Sequence, residues 1–153
     1  MPGGRRRGFT LIELMLVVAV GTILVMVAIP MYEGYIMRSK MAQAVADMTR
    51  MDAAIENYRI SHNALPEALT DVISPIPKDP WGNEFVYLRL DPPSRGSRGH
   101  ARKDHNLVPI NSDYDLYSKG EDGRSTGPLT ARQSRDDLIR ANNGAYFGAA
   151  SDY

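Results

Sequence analysis

Cysteine is absent from this chain of 153 residues, which excludes disulfides, thiolate metal sites and cysteine nucleophiles. A small exported domain without disulfides needs another staple, such as a metal ion or self-association. Histidine is scarce. His62, His100 and His105 share no element at metal-ligand spacing, and the last two read as solvated loop residues. Net charge is missing as well: lysine plus arginine and aspartate plus glutamate number 18 each. That balance argues against a globally basic nucleic-acid binder and against an acidic disordered tail. A nucleophile elbow, a phosphate loop and an EF-hand spacing are also lacking. The expectation is a structural protein, not an enzyme.

What the chain does have is an uninterrupted apolar run. No charged residue occurs from position 14 to position 32 (LMLVVAVGTILVMVAIPMY), enough helix to cross a hydrocarbon core of about 30 Å. Arg5, Arg6 and Arg7 stand just before it. The positive-inside rule then predicts a cytoplasmic N-terminus and an exported domain. An ordinary secretory signal would be shorter and would end in a small-x-small cleavage site, which this run lacks. Membrane retention is the better reading. Glu13 sits at the start of the run, where a charge is costly and is by default a functional hypothesis; at the interface beside Arg7 it would cost little.

Residues 31–62 continue in a helical pattern. Met41, Val45, Met48, Ile55 and Tyr58 recur on one face, widened by Ala44 and Met51, with Arg38, Lys40, Asp47, Arg50, Glu56 and Arg59 on the others. A Met-rich stripe of this kind is core. One helix is therefore predicted over about 10–62, with Gly21 and Pro30 as its weak points. Pro75, Pro77 and Pro80 exclude regular structure before Trp81. A strand is predicted over 84–90, with Phe85, Tyr87 and Arg89 on one face and Val86, Leu88 and Leu90 on the other, and a second over 114–118. A third is placed near 107–110 or 144–147. Between the first two strands, Arg95, Arg98, Arg102 and Lys103 belong to a Pro/Gly/Arg-rich loop read as solvated; it lacks the interleaved aromatics of a strand-binding platform. The fold class is α+β, a long N-terminal helix packed on a small antiparallel sheet, with a sheet at about 84–118 and a loop region at 119–153.

The stretch RRRGFTLIELMLVVAVGTILVMVAIPMY closely resembles the class III signal of type IV pilins and of the pseudopilins of type II secretion. The resemblance implies a leader of residues 1–8 ending at Gly8. A prepilin peptidase would cut there and N-methylate Phe9. Glu13 would then be the family's glutamate, fifth in the mature chain, and Pro30 its helix-kinking proline, in an assembly helix of residues 9–32 before a periplasmic domain of 33–153. Cleavage on the cytoplasmic side would leave the apolar segment in place and create an amine near Glu13. The carboxylate of one subunit could neutralise the amine of a neighbour, turning a costly charge into a register device. Two further pieces, DPWGN at 79–83 and YDLYSKGEDG at 114–123, look like the major pseudopilin domain, in which the second leads into a calcium-binding loop.

That implied calcium ion (Ca2+) needs six to eight oxygen ligands. Asp122 with Asp136 and Asp137 could supply carboxylates, and backbone oxygens near Tyr117 or Ser125 could complete the shell. The loop departs from the family by its length, by Pro128 and by three arginines between 124 and 135. The plain alternative is an acidic turn followed by a helix capped by Asp136. The resemblance implies a single-pass subunit of the bacterial inner membrane that then enters a homo-oligomeric pseudopilus-like filament in the periplasm or at the surface, working with an assembly platform and minor pilins or pseudopilins, and binding no nucleic acid. A type IV pilus subunit for adhesion, motility or DNA uptake, or a monomeric calcium-dependent binding module on a membrane anchor, are the other readings.

Overall fold

The computed structural model describes residues 8–91 and 99–153; the readings placed on Arg5–Arg7, Arg95 and Arg98 lie outside them. Its first element is α1, Leu11–His62, matching the predicted span. Two units are distinguished, Met1–Arg38 and Ser39–Tyr153.

In the first unit, α1 is long and apolar enough to cross a membrane. Every large apolar side chain from position 11 to position 36 is exposed, Leu11 and Ile12 by about three quarters of their surface. A helix that is apolar all round is stable only where something apolar surrounds it. Pro30 lies inside α1, where it removes one backbone hydrogen bond.

In the second unit, α1 turns one-sided. Ala44, Met48, Met51 and Ile55 are buried, at spacings of one helical face, and Met41 and Val45 pack at their edge. Tyr58, expected on that stripe, stacks instead on His62 at 4.0 Å, at the end of the helix. The stripe lies on a sheet of four short strands, β1 Val86–Arg89, β2 Tyr114–Ser118, β3 Leu138–Ala141 and β4 Tyr146–Ala149. They are antiparallel and ordered as in the chain. Phe85, Tyr114, Leu116, Leu138 and Ala149 meet the helix, with Trp81, Tyr87 and Phe147 at the margin. Before the sheet, the 65–73 segment is tied to β1: Tyr87 donates to the Pro66 carbonyl at 2.9 Å, and Arg89 pairs with Glu67.

The opposite face of the sheet is covered too. Ile110, Leu129, Ile139, Ala141 and Ala150 form a second, smaller core, with Tyr117, Tyr146 and Tyr153 packed against it. Strand alternation accounts for the division, since successive residues of β2 and β3 point to opposite faces. Residues 119–153, a loop region by their composition, contribute half of the strands. Asp136 and Asp137 start no helix; they lead into β3, where all four residues are buried. The 107–110 segment holds a bridge between Asp104 and Leu107 but no strand, and the 144–147 expectation corresponds to β4.

Burial on this scale makes the helix–sheet contact the main source of stability. Ile55→Ala and Met48→Ala should each cost about 2–5 kcal/mol. Ile60→Ala, at a side chain 78% exposed, should stay within about 0.5 kcal/mol. Thermal melts of the detergent-solubilised chain give the comparison, roughly 2–4 °C per kcal/mol at this size.

Candidate functional site

The N-terminal segment begins with a capping box. Thr10 is the residue before the first helical position. Its backbone N–H and its hydroxyl both donate to Glu13 Oε2 at 2.8 Å, and the Glu13 N–H donates back to Thr10 Oγ1 at 3.3 Å. Glu13 thereby satisfies orphan donors at its own helix start, where a carboxylate also suits the helix dipole. Sequence reasoning singles out Glu13 but misses this role, although T-x-x-E is legible at 10–13. Gly8 and Phe9 lie exposed just outside the helix. At Gly21 nothing lies within 4 Å of where a Cβ would stand.

The two sequence pieces at 79–83 and 114–123 form one structure. Asp79 Oδ1 accepts the N–H groups of Trp81 and Asn83 at 3.1 and 2.8 Å, closing the turn around Gly82, whose φ is +95°. Asp79 Oδ2 accepts the Ser118 hydroxyl at 2.5 Å, and Asn83 Nδ2 donates to the Gly120 carbonyl at 2.9 Å. Gly120 has φ +63°, and a Cβ there would stand 2.3 Å from the Asp136 carbonyl oxygen. The loop after β2 therefore requires glycine at this position.

The three aspartates expected as calcium ligands do not converge. Asp122 and Asp136 meet, the Asp122 N–H donating to Asp136 Oδ2 at 3.1 Å, while Asp122 Oδ1 accepts from the Arg124 N–H at 2.7 Å. Asp137 lies apart, fully buried, and is taken up by Arg102 and by the Ser125 hydroxyl at 2.6 Å. Burial pushes the Asp137 carboxyl above its usual range, opposed by the Ser125 and Arg102 contacts. Among the described residues, no three acidic or histidine side chains are grouped to hold a metal. A calcium ion joining Asp122 to Asp137 does not fit this donor set, because the guanidinium already lies on Asp137.

Arg102 itself corrects the sequence reading. Its neighbours have the composition of a solvated basic loop, but its side chain is 2% exposed. Its backbone N–H donates to Asp115 Oδ2 at 2.7 Å. Burial pushes the Asp115 carboxyl up as well, against the bonds from Arg102 and Asn111. A second buried guanidinium, Arg140 on β3, occupies the helix face of the sheet. It donates to Asp52 of α1 at 2.5 Å and bidentately to Asp113 at 2.9 and 2.8 Å. The Tyr114 ring lies 3.9 Å from it, and the Tyr114 hydroxyl shares Asp52 at 2.5 Å. Neither arginine's role is legible in the sequence, since its partners lie far off in the chain. His100 and His105 are exposed, as expected; His105 contacts Asp104 at 2.8 Å.

An all-apolar helical anchor with a capped start, carried by an α+β head, is the arrangement of a pilin-like, membrane-anchored protein. The family model "Prokaryotic N-terminal methylation motif" matches residues 3–29. The Type II secretion system core protein G of Vibrio cholerae is 27% identical over 146 residues, spanning 82% of this chain and 88% of that protein. Its counterpart from Pseudomonas aeruginosa is 28% identical, over 80% of this chain and 89% of its own length. Type IV major pilin protein PilE1 of Neisseria gonorrhoeae is 40% identical over 88 residues, 56% of this chain and 48% of the pilin. No solved structure matches the chain. Over most of its length the chain is thus similar to type II secretion core proteins G, and over about half of it to a type IV major pilin, with the methylation motif at its N-terminal end.

Arg140→Ala would leave Asp52 and Asp113 without their cation and should cost about 3 kcal/mol. Arg140→Lys should recover only part of it, because an ammonium cannot reproduce the bidentate fork. Arg124→Ala, on the exposed loop, should stay within about 0.5 kcal/mol. Denaturant unfolding of the three variants measures the differences.

Proposed function

We propose that this chain is a structural, non-catalytic subunit of a helical fibre, the major pseudopilin of a type II secretion system. The observation that carries this reading is the uncovered apolar surface of α1 from 11 to 36, which has no cover among the described residues. A lipid bilayer suits that surface before assembly, and the equivalent helices of neighbouring copies suit it afterwards. The basic residues before α1 favour a cytoplasmic N-terminus, and with it a head outside the inner membrane. The methylation motif supports cleavage after Gly8 by a prepilin peptidase and methylation of Phe9. The new amine and Glu13 then form an intersubunit pair, with an assembly platform and minor pseudopilins as further partners.

The gonococcal pilin match favours a second reading, a surface pilus. Gene deletion separates the two: export fails in one case and surface fibres in the other.

Intact-mass measurement of membrane-extracted protein should show a chain beginning at Phe9 and carrying one extra methyl group. A terminus near Tyr32 would mean an ordinary signal peptide and would refute the fibre. Glu13→Ala should insert at least as well, since it removes a membrane charge, while fibre yield falls. Thr10→Val separates pairing from capping: it loses the cap, worth about 1 kcal/mol, but keeps the carboxylate and should still assemble. Because the chain has no cysteine, single cysteines introduced along α1 report copies directly. An oxidative ladder supports the fibre, and monomers alone under assembly conditions would sink it.

A further inference from the structure

We propose that Arg102 is a cation built into the chain that closes the loop between β2 and β3, and that this head folds without calcium there. Asp137, Ser125 and the Thr126 carbonyl all face one guanidinium. Arg102 donates through Nη2 to Asp137 Oδ2 and through Nη1 to the Ser125 hydroxyl, and to the Thr126 carbonyl at 2.7 Å. The Tyr117 ring lies 4.4 Å from the guanidinium carbon. A carboxylate, a hydroxyl and a backbone carbonyl are the oxygen types a hard divalent ion selects. Here they surround the end of a side chain instead.

The backbone holds that side chain in place. The Arg102 N–H is fixed on Asp115, and the Arg102 carbonyl accepts from the Ile110 N–H at 3.1 Å. The next residue runs beside the loop it helps to close: the Lys103 N–H donates to the Gly127 carbonyl at 3.0 Å, and the Leu129 N–H to the Lys103 carbonyl at 2.9 Å. Arg102 thus reaches the loop from 35 positions upstream of Asp137, along a segment that the loop's own backbone grips. Its charge balances that of Asp137 in a site where both side chains are almost wholly buried. A divalent ion added here would bring two more positive charges against the guanidinium, while Asp136 Oδ2 accepts from the Asp122 N–H and Asp122 Oδ1 from the Arg124 N–H. Asp137 Oδ1 and Arg102 Nε are buried without a hydrogen-bond partner, so the pair is incompletely compensated.

The full chain in detergent micelles tests this by thermal melting after treatment with a chelator, then with calcium chloride at millimolar concentration. The wild type should melt within about 2 °C in both conditions. Arg102→Gln should lower the midpoint by roughly 10 °C, since it leaves Asp137 buried and unpaired, and should speed proteolysis between 119 and 136. The double variant Arg102→Gln with Asp137→Asn should melt higher than Arg102→Gln alone, a result that loss of packing would not give. A rise of several degrees with calcium in the wild type, or a fall with chelator, overturns the proposal. So does an Arg102→Gln variant that melts like the wild type. Should that variant fail to fold, the wild-type response to calcium and chelator still decides.

Discussion

One helix has to satisfy two solvents. From 14 to 32 α1 carries no charged residue and its large apolar side chains are exposed, and from 44 to 55 only a stripe is buried. The first pattern demands a continuous apolar medium, and the second demands a single flat cover. Four strands of four or five residues suffice for that cover, because the stripe they meet is only three turns long. The loops and short turns of the head secure that small sheet on both of its faces.

Each face of the sheet carries a buried guanidinium. Arg140 joins β3 to α1 through Asp52 and to the start of β2 through Asp113. Arg102 joins the loop layer to Asp137, just before β3. A small domain without disulfides gains specificity from such contacts as well as stability, since a slipped register would strand a charge in an apolar core. Side-chain pairs that join distant parts of the chain also do what a crosslink would do, opposing the entropy of the loops they close.

Local pattern is enough to read part of this fold. The limits of α1, its buried Met48–Met51–Ile55 stripe and strand β2 follow from spacing alone, and the Gly8–Pro30 stretch carries the family resemblance. The remainder is hidden for a common reason. In LIRA, the sequence of β3, an arginine interrupts the apolar run, and its acceptability depends on Asp52, 88 positions away. Arg102 sits among residues of loop composition, and nothing nearby announces Asp137. Tyr58 shares the spacing of the stripe but not its buried cluster; its ring stacks on His62 at the end of the helix. The two motifs at 79–83 and 114–123 are both visible in the sequence. Their union through Asp79–Ser118 and Asn83–Gly120 is not, because a hydrogen bond across 37 residues leaves no periodic trace.

The Arg102–Asp137 contact has a consequence in mass action. A bound ion stabilises a fold by an amount that depends on its free concentration, and a competitor or a dilute medium removes it. A guanidinium carried on a side chain of the same molecule has no free concentration to vary. In the proposed fibre of many heads, a cation supplied by the chain itself would make this contact alike in every subunit, one guanidinium to one carboxylate.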